Sequence, residues 1–324
     1  MRKALLVGIN CYDHFPQLFG CNNDASSVES VLSRNQDGSK NFECKLLLGS
    51  QPEQKICRSK LKDQIEELFK ADGEIALFYF AGHGHIEVTG GYLLTSDAKR
   101  GDEGIPLSEI LKFANESKSN NKIIILDSCH SGIAGNSIEN QHLASLSEGV
   151  TFLTASTENQ YAAEENGQGV FTSLLVDALN GSAANLTGDI SIGSIYAHID
   201  QSLGAWEQRP VFKTNVKQFV SLRKTKPAID IEDLKKISSF FPTPDFSFKL
   251  DPTFEPEMKG RDEGMPKPIE KNTRIFSILQ KYNRLNLLIP VEAPHMWHAA
   301  MKSKSCKLTA LGEHYRMLCH KDRI

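Results

Sequence analysis

Two short segments of the sequence carry side chains suited to nucleophilic catalysis. His83 lies between two glycines just after the apolar run 75–80, and Cys129 follows just after the apolar run 123–126. A thiol needs a neighbouring imidazole or cation to hold it as a thiolate near neutral pH. An isolated cysteine is more often an inert core residue, but two such motifs at strand ends favour catalysis. The pair therefore predicts a Cys–His dyad, provided that the two runs are adjacent strands.

The residues around this pair also predict how a reacting carbonyl would be held. Glycine on both sides of His83 lets the backbone approach a substrate closely. We expect a backbone N–H near Gly84 and that of Cys129 to form an oxyanion hole. His85 and His130 are alternative bases. A surface or supporting role suits His85 better, and in an extended segment His130 points away from its neighbour Cys129.

The bulk composition excludes several classes of protein. The 324 residues are 40% hydrophobic, and their number fits one large domain with something smaller or two medium domains. The formal charge of -3 gives no indication of binding to nucleic acid or to an anionic membrane. The apolar runs are too short for a signal peptide or for the roughly 20 residues of a membrane span. Seven scattered cysteines without a Cys-x-x-Cys pair favour a reducing compartment over a disulfide framework or a zinc site. We expect a soluble cytoplasmic protein without membrane association.

Apolar runs of strand length alternate with amphipathic segments through the first 220 residues. The pattern predicts strands at 4–9, 46–48, 75–80, 123–126, 150–154 and 218–222, and helices at 22–34, 58–70, 107–114, 170–179 and 192–203. Such alternation predicts an α/β fold with a mainly parallel sheet and helices on both faces. Reactive groups in these sheets lie beyond the carboxyl ends of the strands, where both motifs stand.

The sequence changes character after residue 223. Residues 224–271 contain seven prolines and many charges with little periodicity, which predicts a proline-rich linker with room for two short helices, one of them at 231–238. Residues 272–324 alternate between helical and strand patterns and predict a small α+β domain. The predicted domains are therefore 1–223, the linker 224–271, and 272–324.

The two motifs resemble those of the caspase/metacaspase clan of cysteine peptidases. Gly82-His83-Gly84 is similar to the histidine motif, and Asp-Ser-Cys-His-Ser-Gly at 127–132 is similar to the cysteine motif of metacaspases. The resemblance covers about residues 1–222 and implies a caspase-like three-layer sandwich. It also implies that Cys129 attacks a peptide carbonyl while His83 protonates the leaving amine, with no cofactor.

An acidic substrate pocket is a second feature of the resemblance. Asp127 shares a face of the extended chain with Cys129, where a carboxylate disfavours the thiolate and is better used to bind a substrate cation. In metacaspases a Cys-x-x-Asp element supplies a second carboxylate, and here Cys21 and Asp24 match it. These three residues imply cleavage after Arg or Lys, with Arg favoured by bidentate pairing. Asp24 could instead be an acid in the first turn of a helix. Ala81 stands where metacaspases usually carry serine, which weakens the basic specificity.

Two weaker resemblances concern calcium and the second half of the domain. Some metacaspases bind calcium, and Asp97, Asp102 and Glu103 could hold it here, although their spacing does not clearly match. Gly-Val-Phe-Thr at 169–172 resembles a helix start in the caspase small subunit. Glu164 and Glu165 could touch a basic substrate, although solvated surface acids are the more ordinary reading.

The distribution of basic residues predicts how the chain is processed. Between Lys122 and Arg209 there is neither lysine nor arginine. An enzyme that cleaves after basic residues cannot cut itself there, so we expect a single uncleaved chain. Candidate self-cleavage sites lie instead after Arg223, Lys224, Lys226 and Arg261.

The segment 272–324 resembles a winged-helix module appended to some bacterial caspase-like proteins. It is locally basic through Lys302, Lys304, Lys307, Arg316, Lys321 and Arg323. DNA binding is therefore open, but the modest charge favours a protein-interaction or regulatory role. By family analogy we expect a peptidase that activates a partner effector in bacterial defence or cell death. The alternative is a catalytically silent caspase-fold scaffold or regulator acting through this module.

Overall fold

The computed structural model describes residues 1–128, 146–155, 164–165, 168–204 and 209–324. Cys129 and His130 lie outside the described residues. The chain divides into two compact units, Met1–Lys226 and Pro227–Ile324.

The described part of the first unit alternates strands and helices. Its strands are β1 (Arg2–Ile9), β2 (Glu43–Gly49), β3 (Ile75–Ala81), β4 (Gly84–Glu87), β5 (Gly90–Leu93), β6 (Ile105–Pro106), β7 (Asn121–Asp127), β8 (Val150–Thr154), β9 (Glu164–Glu165), β10 (Gln168–Gly169), β11 (Asp189–Ser191), β12 (Val211–Asn215) and β13 (Ser221–Lys224). Its helices are α1 (Cys21–Leu32), α2 (Arg58–Lys70), α3 (Leu107–Glu116), α4 (Val170–Asp177) and α5 (Ile192–Ser202).

The central sheet places the ends of β3 and β7 side by side. Its strand order is β12-β8-β7-β3-β1-β2, and every neighbouring pair except β12–β8 is parallel. The mainly parallel sheet is therefore confirmed. In the β3–β7 register Ala81 stands opposite Asp127, so both strands end level at the same edge.

Helices cover both faces of this sheet because each strand alternates its side chains between two apolar layers. On β3, Leu77 and Tyr79 pack with residues of α1, α4 and α5, whereas Phe78 and Phe80 pack with residues of α2 and α3. These four side chains are fully buried. Full burial of a large apolar side chain stabilises a fold by about 1.5–3 kcal/mol, so both layers are needed to hold β3 in place.

The last strand of the sheet differs from the sequence-based prediction. The strand expected at 218–222 is observed as β13 (Ser221–Lys224), which pairs with β11 instead of the central sheet. The sheet ends with β12 (Val211–Asn215), an edge strand with exposed positions and no continuous apolar run. A strand buried on both faces is marked by a continuous apolar run, and residues 211–215 have none. The prediction of the final sheet strand was therefore wrong.

The second unit contains a small antiparallel sheet. Its elements are α6 (Ile231–Lys235), α7 (Ile237–Phe240), β14 (Ser247–Lys249), α8 (Glu270–Arg284), β15 (Leu288–Val291), α9 (Met296–Met301), β16 (Ser305–Leu308) and α10 (Ala310–His320). The strand order is β14-β16-β15. The expected linker 224–271 thus supplies a strand of this sheet, and its Phe248 lies against Phe241 and Phe254. The sequence positions of these aromatic residues follow neither helical nor strand periodicity. For this reason the segment has the sequence pattern of a linker.

Candidate active site

The main chain at His83 is held by the loop that follows β1. The His83 backbone N–H donates to the Tyr12 hydroxyl at 2.9 Å, and the Leu94 N–H donates to the His83 carbonyl at 2.9 Å. Gly82 is required by the same contact, because a Cβ there would lie 2.6 Å from the Tyr12 hydroxyl. The glycine before the histidine therefore allows the buried tyrosine to reach the backbone.

The imidazole of His83 is fixed in one neutral tautomer. Its Nε2 lies 2.8 Å from the Pro16 carbonyl oxygen, and a carbonyl can only accept, so Nε2 carries a proton and, in the neutral ring, Nδ1 keeps its lone pair. The ring centroids of Tyr12 and Phe15 lie 4.7 and 6.2 Å, respectively, from the centroid of the His83 ring. Burial lowers the pKa of His83, and the hydrogen bond to Pro16 opposes that shift. A neutral imidazole with a free Nδ1 lone pair is the form that can accept a proton from a thiol.

The chain leaves β7 toward Cys129 at the same edge of the sheet. The Gly82 N–H donates to the Asp127 carbonyl at 3.3 Å, which links the two strand ends beyond their last ladder pair. The next residue, Ser128, is buried. Because Cys129 lies outside the described residues, the catalytic pair and the Cys129 N–H of the expected oxyanion hole stay predictions. Gly84, the other predicted donor, opens β4 directly after His83.

Asp24 and Asp127 come together at the start of α4. Both carboxylates are buried, with residue exposures of 3% and 7%. The Gly169 N–H donates to the two oxygens of Asp24 at 3.2 and 3.3 Å, and the Thr172 hydroxyl donates to Asp127 Oδ2 at 2.6 Å. A Cβ on Gly169 would lie 2.7 Å from Asp127 Oδ2 and 3.3 Å from Asp24 Oδ2. Two carboxyl groups that are far apart in the sequence thus converge on one point.

Two other candidates from the sequence occupy different surroundings. Cys21 is the first residue of α1 and is buried, and a Cβ on Gly8 of β1 would overlap its carbonyl oxygen. His85 lies on β4, where its Nε2 is 3.3 Å from Glu87 Oε1 and its ring packs against Gly101. Its engagement with Glu87 favours the surface role expected for it over that of the catalytic base.

The acidic residues considered for calcium are each engaged elsewhere. Asp97 accepts the Arg58 backbone N–H at 3.1 Å, and Glu103 accepts the Lys99 N–H at 2.7 Å. Asp102 pairs with a neighbouring arginine. Among the residues that the structure describes, no group of three or more His, Cys, Asp or Glu side chains could hold a metal ion.

The sequence reasoning missed four residues that support the site. Tyr12 and Pro16 belong to the loop after β1. The only sequence signal for this loop is that it follows the carboxyl end of a predicted strand, where functional groups of such sheets lie. In the sequence, Thr172 is marked only as part of a helix start, and Tyr79 only as part of a buried strand. Their hydroxyls lie 2.6 Å apart. Hydrogen bonds between residues so distant in sequence leave no local pattern.

Comparisons with known proteins agree with this architecture. Residues 1–228 match the model of the caspase domain family, peptidase C14. The fold is similar to the crystal structure of protein GSU0716 from Geobacter sulfurreducens, with a TM-score of 0.51, 19% identity, and coverage of 70% of this chain and 98% of that one. It is also similar to caspase-1 from Spodoptera frugiperda, with a TM-score of 0.50, 13% identity, and coverage of 69% and 90%.

The comparison with curated proteins gave no match. In the described ranges, no helix is both long and apolar enough to cross a membrane. The two structural similarities show the fold alone, whereas the family match spans most of the chain. On that match, the chain belongs to the caspase-domain family of cysteine peptidases.

Proposed function

We propose that the chain is a cysteine endopeptidase of the metacaspase type, with Cys129 as nucleophile and His83 as general base and acid. The observation that carries this proposal is the level ending of β3 and β7, since each motif begins where its strand stops. The fixed tautomer of His83 adds support, because it leaves Nδ1 able to accept a proton. A catalytically silent scaffold is not favoured, since both reactive residue types stand in the sequence.

The reaction follows from these roles. His83 Nδ1 takes the thiol proton, and the Cys129 sulfur forms a bond to the peptide carbonyl carbon. The N–H groups of Gly84 and Cys129 hold the resulting oxyanion, and one such donor contributes about 100- to 1000-fold in kcat. His83 then returns the proton to the leaving amine as the C–N bond breaks. Water, deprotonated by His83, hydrolyses the thioester and regenerates the thiol.

We assign the basic specificity to Asp24 and Asp127, with Cys21 beside them in the pocket. The charge distribution supports this, because residues 123–208 contain ten of the 40 acidic residues and none of the 37 lysines and arginines. No lysine or arginine from that span competes for the two carboxylates. A planar guanidinium can bridge two carboxylates with several hydrogen bonds, so Arg should be cleaved better than Lys. Ala81 offers no hydroxyl to this pocket.

Fluorogenic peptides with Arg, Lys or Asp at the cleavage position test the proposal. The wild type should release fluorophore from the Arg and Lys peptides and leave the Asp peptide intact. Cys129→Ala and His83→Ala should abolish release, while thermal melting shows that both variants stay folded. Parallel assays with calcium and with chelator decide whether any ion is needed. Full activity in Cys129→Ala would remove the nucleophile assignment.

For the second unit we propose a protein-interaction or regulatory role. Its order α8-β15-α9-β16-α10 is the basis for the winged-helix prediction. DNA binding is less favoured, because Lys304 pairs with Glu292 at 2.7 Å and Arg316 pairs with Glu313 at 2.6 Å. These two cations are therefore partly neutralised within the unit. A mobility-shift assay with duplex DNA should show no specific complex. The part in bacterial defence or cell death stays a prediction from family analogy.

A further inference from the structure

A buried chain of hydroxyl groups leads from the middle of β3 to Asp127. Tyr79 and Thr172 are both fully buried, and their hydroxyl oxygens lie 2.6 Å apart. Thr172 Oγ1 lies a further 2.6 Å from Asp127 Oδ2. The carboxylate can only accept, so Thr172 donates its single proton to it. Tyr79 must then donate its own proton to Thr172, which gives the chain one direction.

The direction of this chain of hydroxyl groups depends on Tyr79 staying protonated. Burial, followed by the charges of Asp127 and Asp24, raises the pKa of Tyr79 well above its ordinary value of 10.0. The tyrosine therefore stays a neutral donor. Each hydroxyl lies in the apolar layer between the sheet and α4, where a polar group without a partner would destabilise the fold. Their joint effect is to fix one oxygen of Asp127.

Gly169 performs the matching task for Asp24. It is the residue that caps the N-terminus of α4, and its N–H donates to the Asp24 carboxylate. The positive end of a helix dipole stabilises nearby negative charge. Two carboxylates so close together repel each other, and these donors offset the repulsion. Any side chain at position 169 would enter the space between the carboxylates of Asp24 and Asp127.

We propose that Thr172, backed by Tyr79, positions Asp127, and that Gly169, because it has no side chain, lets the carboxylates of Asp24 and Asp127 lie close enough to bind one side chain of a substrate Arg or Lys. This inference rests on the proposed function and extends it to residues that never touch the reacting atoms. Thr172 and Tyr79 act through the carboxylate as positioning residues. Gly169 acts by lacking a side chain.

Substitutions of similar volume test the hydroxyl chain. Thr172→Val should raise KM for an Arg peptide about tenfold with a smaller change in kcat, as expected for a lost hydrogen bond to a charged group. Thr172→Ser keeps the hydroxyl and should restore a KM close to the wild-type value. Tyr79→Phe should raise KM in the same direction by less. Gly169→Ala should raise KM for the Arg peptide more than the other three substitutions do. In all four variants the rate at which iodoacetamide alkylates Cys129 should stay within about twofold of the wild-type rate.

A binding measurement separates this inference from the proposed function. In the Cys129→Ala background, an acetylated Arg peptide amide is titrated by NMR, and Thr172→Val should weaken its binding by the same factor as KM. Unchanged KM and binding in folded Thr172→Val and Gly169→Ala would overturn the inference, even if the wild type cleaves Arg peptides. An absence of Arg-peptide binding to Cys129→Ala would also overturn it. If the wild type fails to cleave but Thr172→Val still weakens binding, the inference holds and the endopeptidase proposal fails.

Discussion

At the level of single residues, the proposed catalysis depends on a neutral His83. Burial lowers its pKa from the ordinary 6.5, and below that pKa the protonated ring cannot accept the thiol proton. Activity should therefore persist below pH 6.5 and fall only at more acidic values. An NMR titration of His83 in Cys129→Ala should give a pKa under 6.5. A value at or above 6.5 would contradict the neutral resting form.

Part of the site can be predicted from residue types in the sequence, whereas the residues that act through long-range contacts cannot. Gly82-His83-Gly84 and the segment around Cys129 stand out because small residues flank a reactive one at a strand end. The carbonyl of Pro16 leaves no trace in the sequence, since any residue could supply it. Thr172 resembles any threonine in the first turn of a helix until its bond to Asp127 is seen.

At the scale of elements, the close approach of α1 to β1 sets the position of Asp24. A Cβ on Gly8 would overlap the backbone carbonyl of Cys21, the residue that opens α1. Gly8→Ala should therefore destabilise the fold by about 1–3 kcal/mol, the usual range for overpacking. Gly91→Ala is the matched control, because it meets only the flexible end of Leu107. Urea unfolding measures both variants, and equal midpoints would show that α1 is free to shift.

The buried elements were predictable, whereas the edges were not. The helix at 58–70 and the strand at 150–154 match their predicted bounds, because apolar periodicity marks elements that pack on the core. The hairpin of β4 and β5 is rich in glycine and half-exposed, so it lacks such a pattern. Strand β12 is half-buried to exposed and therefore also lacks such a pattern. Strand β12 is decided by its pairing with the distant strand β8, which leaves no local pattern in the sequence.

At the scale of the whole molecule, we predict that the enzyme stays a single chain. No Lys or Arg occurs between Lys122 and Arg209. The Arg223 guanidinium donates to the Leu179 carbonyl at 2.7 Å, and that of Arg261 donates to the Pro266 carbonyl at 2.6 Å. These contacts should protect the two arginines in the folded protein. Intact-mass analysis of wild type beside Cys129→Ala should show no fragment that ends between residues 123 and 208, and such a fragment found only in the wild type would refute the prediction.

Charge segregation should also accelerate the capture of basic substrates. Residues 123–208 carry ten acidic groups and no Lys or Arg, so their field should attract a cationic peptide. We expect kcat/KM for an Arg peptide to fall several-fold as ionic strength rises from about 0.05 to about 0.5 M, because salt screens this field. The kcat at saturating substrate is the internal control and should change little. A kcat/KM independent of salt would argue against steering.

The most direct measurement of the central claim is a cleavage profile of a peptide library read by mass spectrometry. Wild-type enzyme should generate new C-termini that end in Arg or Lys, with Arg in excess, and Cys129→Ala should generate none. New termini ending in Asp or in neutral residues, or the same termini from Cys129→Ala, would contradict the assignment of nucleophile and pocket.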